Sequence, residues 1–305
     1  MAPRRILLTG ASGFVGGHLV ARLRQDFPAA ELHRPEVEIA DAAAVDAMVH
    51  DVRPDAVVHL AAISAVPAAN QDPARAWQVN LLGTLALARA LLAHSAHATL
   101  LFVSSAEIYG ASFRSGAPAD EATLPAPGNT YAATKAAADL ALGAMAGQGL
   151  RVLRLRPFNH TGPGQSEDFV VAAFARQVAL IAAGRQAPVL QVGALEPLRD
   201  FLDVRDVCAA YSLCLARAAT LPAGCILNIA SGVPRRIGDI LAALLELAGV
   251  QAEVRQDPTR LRPTDTPLAC GNAGLATRLL GWRPEIHWTQ TLRDVLDDWR
   301  QRVGA

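Results

Sequence analysis

The chain has 305 residues, with 28 basic and 28 acidic side chains and a formal net charge of zero. Hydrophobic residues make up 51% and charged residues 18%, so a sizeable core is available and disorder is excluded for the chain as a whole. A neutral balance lacks the excess of cations that binding to nucleic acid or an acidic membrane requires, so neither is expected as a partner.

Cysteines stand at 208, 214, 225 and 270, with no Cys-x-x-Cys pair and no histidine at zinc-like spacing. Four reduced thiols, no metal and a cytoplasmic location are expected. No run of ~18 uncharged apolar residues occurs. The nearest stretch, 81–105, is broken by Arg89, His94 and His97. The opening Met1-Ala2-Pro3-Arg4-Arg5 and Ile6-Leu7-Leu8 faintly resemble a signal peptide, but the glycines that follow have a better explanation.

In chain order, 6–8 reads as a short strand buried on both faces, followed by a glycine turn and helical spacing at Leu19, Val20 and Leu23. A helix is predicted over 42–50 and a strand over 56–60, with Pro54 between them. A long Ala/Leu-rich helix spans 73–94, a buried strand 100–103, an Ala-rich helix 131–147 and a strand 151–155. Beyond Pro157 the pattern changes: a Gly/Pro loop over 159–165, a helix over 169–183, a short strand at 189–192, and a return to the sheet at 227–229. Helices are predicted over 237–248 and 288–302. Strands alternating with helices through short connections imply an α/β fold, a doubly wound parallel sheet of Rossmann type. The expected division is a dinucleotide-binding domain over 1–158, with sheet returns near 200–230, interleaved with a smaller, mainly helical substrate-binding lobe over 159–305.

Gly10, Gly13 and Gly16 fall directly after a strand and before a helix. A tight turn there brings backbone N–H groups against a pyrophosphate, and the helix N-terminus at Phe14 and Val15 adds its positive dipole end. The choice of dinucleotide rests on residues 31–34. Glu31 suits a ribose 2′-hydroxyl, as in NAD, whereas His33 and Arg34 suit a 2′-phosphate, which tilts the expectation to NADP with NAD as the alternative.

The chain contains one lysine, Lys135, four residues after Tyr131. On a helix that spacing puts phenol and ammonium on one face. The cation is expected to lower the tyrosine pKa and make the phenol a general acid. Arginine codon bias explains the 27 arginines but not the position that stayed lysine. Ser104, Ser105 and Glu107 follow the 100–103 strand at its carboxyl end, where parallel sheets bind ligands.

Together, Thr9-Gly10-x-x-Gly13-x-x-Gly16, His59-Leu60-Ala61-Ala62, Asn80, Ser105, Tyr131-x-x-x-Lys135 and Arg156-Pro157-Phe158-Asn159 resemble the extended short-chain dehydrogenase/reductases that act on nucleotide sugars. Residues 156–165, 168–170, 199–204 and 257–258 resemble the GDP-sugar branch of that family most. The resemblance implies catalytic roles for Ser105, Glu107, Tyr131 and Lys135. It implies cofactor contacts at Leu60, Ala61, Ala62, Asn80 and Pro157, with Glu38-Ile39 in place of the family's Asp-Leu/Ile element at adenine. Ser105, Glu107, Asn159, Arg199 and Arg262 are implied as substrate-binding, the two arginines at the sugar-nucleotide pyrophosphate. It further implies a homodimer. The activity implied is NAD(P)H-dependent reduction of a C4 keto group in a GDP-linked 6-deoxy sugar. Dehydratase or epimerase activity is the alternative, and a non-catalytic NADP-binding regulator the remote one. Dehydratases of the family place Thr at 105 and Asp or Ser at 106; here Ser105-Ala106 leaves elimination short of a group, which favours reduction.

Overall fold

The computed structural model describes residues 2–260 and 266–304. The chain opens with β1 (Arg5–Thr9), α1 (Phe14–Asp26), β2 (Glu31–His33), α2 (Ala42–Val52) and β3 (Ala56–His59). Then come α3 (Val66–Gln71), α4 (Pro73–Trp77), a π-helical turn (Gln78–Gly83), α5 (Thr84–His94) and β4 (Thr99–Val103). A 3-10 segment (Ala106–Ser115), α6 (Thr130–Ala146), β5 (Arg151–Pro157), β6 (Asn159–Thr161), α7 (Val170–Ala182) and β7 (Val189–Val192) follow. The remainder is β8 (Leu198–Asp203), α8 (Val204–Ala216), β9 (Cys225–Ile229), β10 (Pro234–Arg236), α9 (Ile237–Ala248), β11 (Glu253–Gln256), β12 (Leu268–Ala269), α10 (Gly274–Leu280) and α11 (Trp288–Val303).

Six strands form one parallel sheet in the order β2-β1-β3-β4-β5-β9. Leu7, Leu8, Val57, Val58, Leu100 and Leu101 are fully buried, as an all-parallel sheet with helices on both faces demands. One face packs α1 and α8 around Leu19, Leu23 and Tyr211; the other packs α2, α5 and α6 around Val49, Leu87 and Leu142. The doubly wound expectation is met, including the return to the sheet at 227–229. Strand order reverses between β1 and β3, so a crevice opens at their carboxyl ends, where such sheets bind ligands.

The later strands build a small sheet, β10-β8-β12, with β6 also on β8. Here the structure corrects the sequence reading, because Asn159–Thr161 was expected to be loop. It pairs with Phe201–Asp203, an extended conformation set by a partner some 40 residues away along the chain. The second difference lies in the 73–94 helix. It is continuous in direction but widens to a π-turn at Gln78–Gly83, the kind of bulge that re-aims side chains within a helix. Gly83 packs directly on the chain, since a Cβ there would stand 2.5 Å from the Ile39 carbonyl oxygen. The whole run, Pro73–His94, has the length and mean hydropathy (1.2) of a membrane span, yet half of it is buried within the protein, in the core with α2 and α6. The four cysteines are unpaired, three of them buried.

Candidate active site

A cavity of about 890 Å³ lies along the carboxyl ends of β1, β3, β4 and β5 and is closed on its other side by β6, β8 and α7. The glycine turn forms one end. Gly10 has φ +71, and a Cβ on it would stand 2.7 Å from the Ala61 amide nitrogen. At Gly16 a Cβ would stand 2.5 Å from the Gly10 carbonyl oxygen, so helix and strand touch there by backbone. Gly13 is the N-cap of α1 and caps it with no side chain. The first amides of a helix have no intrahelical acceptor. Those of Phe14, Val15 and Gly16 therefore border the cavity ready for an anion. Leu60, Ala61, Ala62 and Pro157 line the same space. Bare backbone, an uncapped helix start and small side chains fit the pyrophosphate of a dinucleotide.

Arg34 follows β2, in the neighbouring position to the glycine turn, and is exposed. Glu31 is exposed beside His33, 3.3 Å from its Nε2. Three expected cofactor residues sit differently. Glu38 is paired with Arg75 and accepts from the Ala40 amide at 3.1 Å. Those contacts hold its carboxyl below the usual range, the Ala40 amide first among them. Ile39 is 4% exposed and packs into the core rather than facing the cavity. Asn80 lies behind the wall. Its Oδ1 accepts from Ile63 N at 2.8 Å, and its Nδ2 donates to the Ile63 carbonyl at 3.1 Å and to Thr134 Oγ1 at 3.0 Å. Fully buried, Asn80 fastens the loop after β3 to α6 through that amide.

The second end of the site is built on β4 and α6. Ser105 caps the 3-10 segment, its Oγ accepting from the Glu107 amide at 3.1 Å. Asn129 caps α6 through the Ala132 amide at 2.9 Å. That places Tyr131 in the first turn and Lys135 one turn on. The Ser105 hydroxyl stands near enough to the Tyr131 phenol to lower its pKa. Lys135 is 4% exposed, and its Nζ stands over the Phe102 ring.

The expected fall in the tyrosine pKa does not occur in the chain by itself. Burial pushes the Tyr131 phenol up to about 12; the Ser105 hydroxyl opposes this and the Glu107 charge adds to it. Burial likewise brings Lys135 down to about 8, against the pull of Asp139. Desolvation acts on both members of the pair and outweighs the contacts that oppose it, Ser105 at the phenol and Asp139 at the ammonium. The phenol is thus held protonated, the state a proton donor needs.

Behind α6 lies support the sequence reading missed. Asp139, fully buried, receives Arg156 at 3.1 and 3.0 Å and Arg154 at 3.1 Å. Arg156 also donates to the Tyr109 hydroxyl at 3.1 Å, which donates to Asn228 at 2.7 Å. The signal was present: Tyr131, Lys135 and Asp139 follow one another at four-residue spacing, one stripe of the helix. His160 was also missed. It lines the cavity, stacked on Phe14 with ring centres 6.3 Å apart.

Asn159 and Arg199 both line the cavity on the small-sheet side. Arg199 donates to the Leu198 and Thr266 carbonyls at 2.9 and 2.6 Å. Arg262 lies outside the described residues. Glu107 borders the cavity, and Ala106, 7% exposed, packs with Ile108, Tyr109 and Phe158 in an apolar cluster.

Residues 6–230 match the NAD dependent epimerase/dehydratase family. A GDP-6-deoxy-D-mannose reductase from Pseudomonas aeruginosa is 41% identical over 98% of both chains. A GDP-6-deoxy-D-talose 4-dehydrogenase from Aggregatibacter actinomycetemcomitans is 28% identical over 91% of both. Among solved structures, RMD from Pseudomonas aeruginosa complexed with NADPH superposes with a TM-score of 0.87 at 38% identity, covering 98% of this chain and 99% of that one. A Thermus thermophilus UDP-glucose 4-epimerase in complex with NAD superposes at 0.84 with 29% identity, covering 97% and 99%. With the glycine turn, the Ser–Tyr–Lys cluster and these matches over nearly its whole length, the chain belongs to the NAD dependent epimerase/dehydratase family.

Proposed function

We propose that this protein is a nucleotide-sugar oxidoreductase that uses NADPH to reduce the C4 keto group of GDP-4-keto-6-deoxy-mannose to GDP-rhamnose. The observation that carries the reading is the clustering of Ser105, Tyr131 and Lys135 on the cavity, with Lys135 one turn from Tyr131, beside an apolar Ala106. The 41% identity to a GDP-6-deoxy-D-mannose reductase supports the substrate. NADPH in the similar RMD structure supports the cofactor, and exposed Arg34 at the end of β2 is the residue for its 2′-phosphate.

When bound, the reduced nicotinamide supplies a hydride to the sugar C4. Tyr131 donates its proton to the oxygen that becomes an alkoxide. Its raised pKa keeps that proton in place until the acceptor is more basic than the phenolate. Ser105 hydrogen-bonds the same oxygen and stabilises the developing charge. Lys135 holds the nicotinamide ribose and stabilises the phenolate left behind. Glu107 and Asn159 orient the sugar, and Arg199, with Arg262, holds the diphosphate.

Elimination across C5 and C6 needs both a base and an acid. Glu107 supplies one carboxyl, while Ala106 supplies nothing and sits in an apolar cluster. The test is direct. GDP-4-keto-6-deoxy-mannose with NADPH is expected to yield the C4 alcohol with stoichiometric NADPH loss, and GDP-mannose with NADP⁺ no 4-keto product. Turnover without net NADPH loss, or 4-keto product from GDP-mannose together with a dead Glu107→Gln variant, would overturn the reading. NMR of the product distinguishes GDP-rhamnose from its C4 epimer.

The same reading makes residues up to 158 the cofactor domain and most of 159–305 the substrate lobe. It places the enzyme in the cytoplasm, where unpaired thiols persist. It also makes the protein a homodimer through α4–α5 and α6. Trp77, Leu82 and Leu140 leave 37%, 57% and 57% of their surface open there. Light scattering is expected to give twice the 32.1 kDa chain mass, and Leu82→Glu combined with Leu140→Glu to give a monomer.

A further inference from the structure

Four residues that line the cavity belong to one apolar cluster: Ala106, Phe113, Phe158 and Ala269. Phe113 and Phe158 meet edge to face with ring centres 6.1 Å apart, and Tyr109 stacks on Phe158 at 6.3 Å. The Tyr109 hydroxyl is committed to Asn228 and Arg156. The Phe158 ring is pinned by the chain beside it, since a Cβ on Gly271 would stand 2.5 Å from its Cε2. None of the four side chains carries a hydrogen-bonding atom. Together they are a fixed, wholly apolar stretch of wall.

The wall lies among the polar groups of the site, not at its rim. Ala106 stands between Ser105 and Glu107 in the chain, and Phe158 directly precedes Asn159. Ala269 is the partner of Arg199 in the register of β12 on β8. Ser105, Glu107, Asn159 and Arg199 all line the same cavity. Each polar group assigned to the sugar nucleotide therefore has a member of the apolar wall as its immediate neighbour.

We propose that Ala106, Phe113, Phe158 and Ala269 form the subsite for the C6 methyl group of the sugar and select 6-deoxy over 6-hydroxy sugars; this rests on the nucleotide-sugar reading above. In a 4-keto-6-deoxy hexose the methyl is the one wholly apolar substituent of the ring. It is carried by C5, the carbon next to C4. With the C4 oxygen at Ser105 and Tyr131, the methyl falls beside the residue that follows Ser105, which is Ala106. There it buries apolar surface against two rings and two methyl groups. A hydroxyl at C6 would give up its water and find no partner on this wall.

GDP-rhamnose is GDP-6-deoxy-mannose, so it differs from GDP-mannose by one oxygen, at C6. With NADPH bound neither alcohol can be reduced, and calorimetric titration of each sugar nucleotide into the NADPH-saturated protein reads binding alone. The parent is expected to bind GDP-rhamnose about tenfold or more tightly than GDP-mannose, the scale of one buried hydroxyl left unpaired. Ala106→Ser and Ala269→Ser each add a hydroxyl to the wall, from two different segments of the chain. They should narrow that ratio severalfold, with NADPH affinity unchanged. Equal Kd values for the two sugar nucleotides in the parent would overturn the proposal and leave the nucleotide-sugar reading intact. A ratio that stays at the parent's value in both variants would also overturn it, since the preference would then arise elsewhere. A parent protein that binds NADPH but neither sugar nucleotide would overturn the nucleotide-sugar reading and this inference together.

Discussion

The Lys135 ammonium stands 4.7 Å from the centre of the Phe102 ring, above its face. Phe102 is fully buried on β4, and Lys135 is 4% exposed on α6. The chain's one lysine is therefore held between an aromatic surface and the cavity that Tyr131 shares with it. A ring face attracts a cation, here in surroundings that otherwise bring the ammonium down to about 8.

Replacing Phe102 by Leu keeps the apolar packing and removes the ring. A cation–π contact contributes ~0.5–2 kcal/mol, so Lys135 should lose its proton up to about 1.5 pH units earlier. Losing a contact that favours the charged form lowers the pKa. The alkaline fall in kcat/KM should then move to lower pH. A profile of kcat/KM against pH checks this, and an unmoved alkaline limb would show that the ring does not hold the charge.

Tyr131→Phe should lower kcat by ~10²–10⁴ while NADPH affinity stays close to the parent's. The phenol is half-buried against Ser105, and removing one oxygen leaves the cavity shape intact. Single-turnover rates with fluorescence titration of NADPH separate the two effects. More than a tenth of parent activity at neutral pH would remove Tyr131 from its role.

His59 gives the fold an acid-sensitive point. Its Nδ1 lies 2.7 Å from Thr9 Oγ1 and its Nε2 2.9 Å from Thr84 Oγ1. Thr84 donates to the Asn80 carbonyl at 2.8 Å, so its oxygen accepts from Nε2–H, and Nδ1 accepts from Thr9. This places the proton of a neutral imidazole. Burial first, and the Lys135 charge second, bring its pKa down from 6.5 to about 3. Between those values the unfolded chain binds a proton that the folded chain does not, so stability falls as pH falls. The site contributes up to ~1.4 kcal/mol per pH unit across that window. Urea unfolding midpoints from pH 7 to pH 4 should show a shallower slope for His59→Asn than for the parent.

Gly16 and Gly17 should respond in opposite ways to alanine. At Gly16 the new Cβ would meet the Gly10 and Ala11 carbonyl oxygens at 2.5 and 2.6 Å, and only backbone movement relieves that. Gly16→Ala is expected to raise the NADPH Kd about tenfold or more and to lower Tm by several degrees. Gly17 has nothing within 4 Å of an added Cβ. Gly17→Ala should stabilise the helix by ~0.5–1 kcal/mol with binding unchanged. Thermal melts with and without NADPH test both.

Several features were decided locally and were legible in the sequence. The glycine turn depends on a positive φ and on close backbone approach, both of which only glycine provides, so Gly10 and Gly16 announce it. Tyr131 and Lys135 share a helix, where four-residue spacing is itself a statement about geometry. Buried parallel strands appear as apolar runs, which made β1, β3, β4 and the β9 return readable along with the order of the fold.

Other features depend on residues far apart in the chain, and only the tertiary structure decided them. Asn159–Thr161 is a strand because Phe201–Asp203 lies beside it. Asn80 is tied to Ile63 and Thr134, and Glu38 to Arg75. The sequence predicted a lowered Tyr131 pKa from one neighbouring charge; burial, a sum over everything packed around the phenol, moved it up. Spacing along the chain determines local geometry, whereas desolvation and pairing are set by atoms that folding alone brings within a few ångströms.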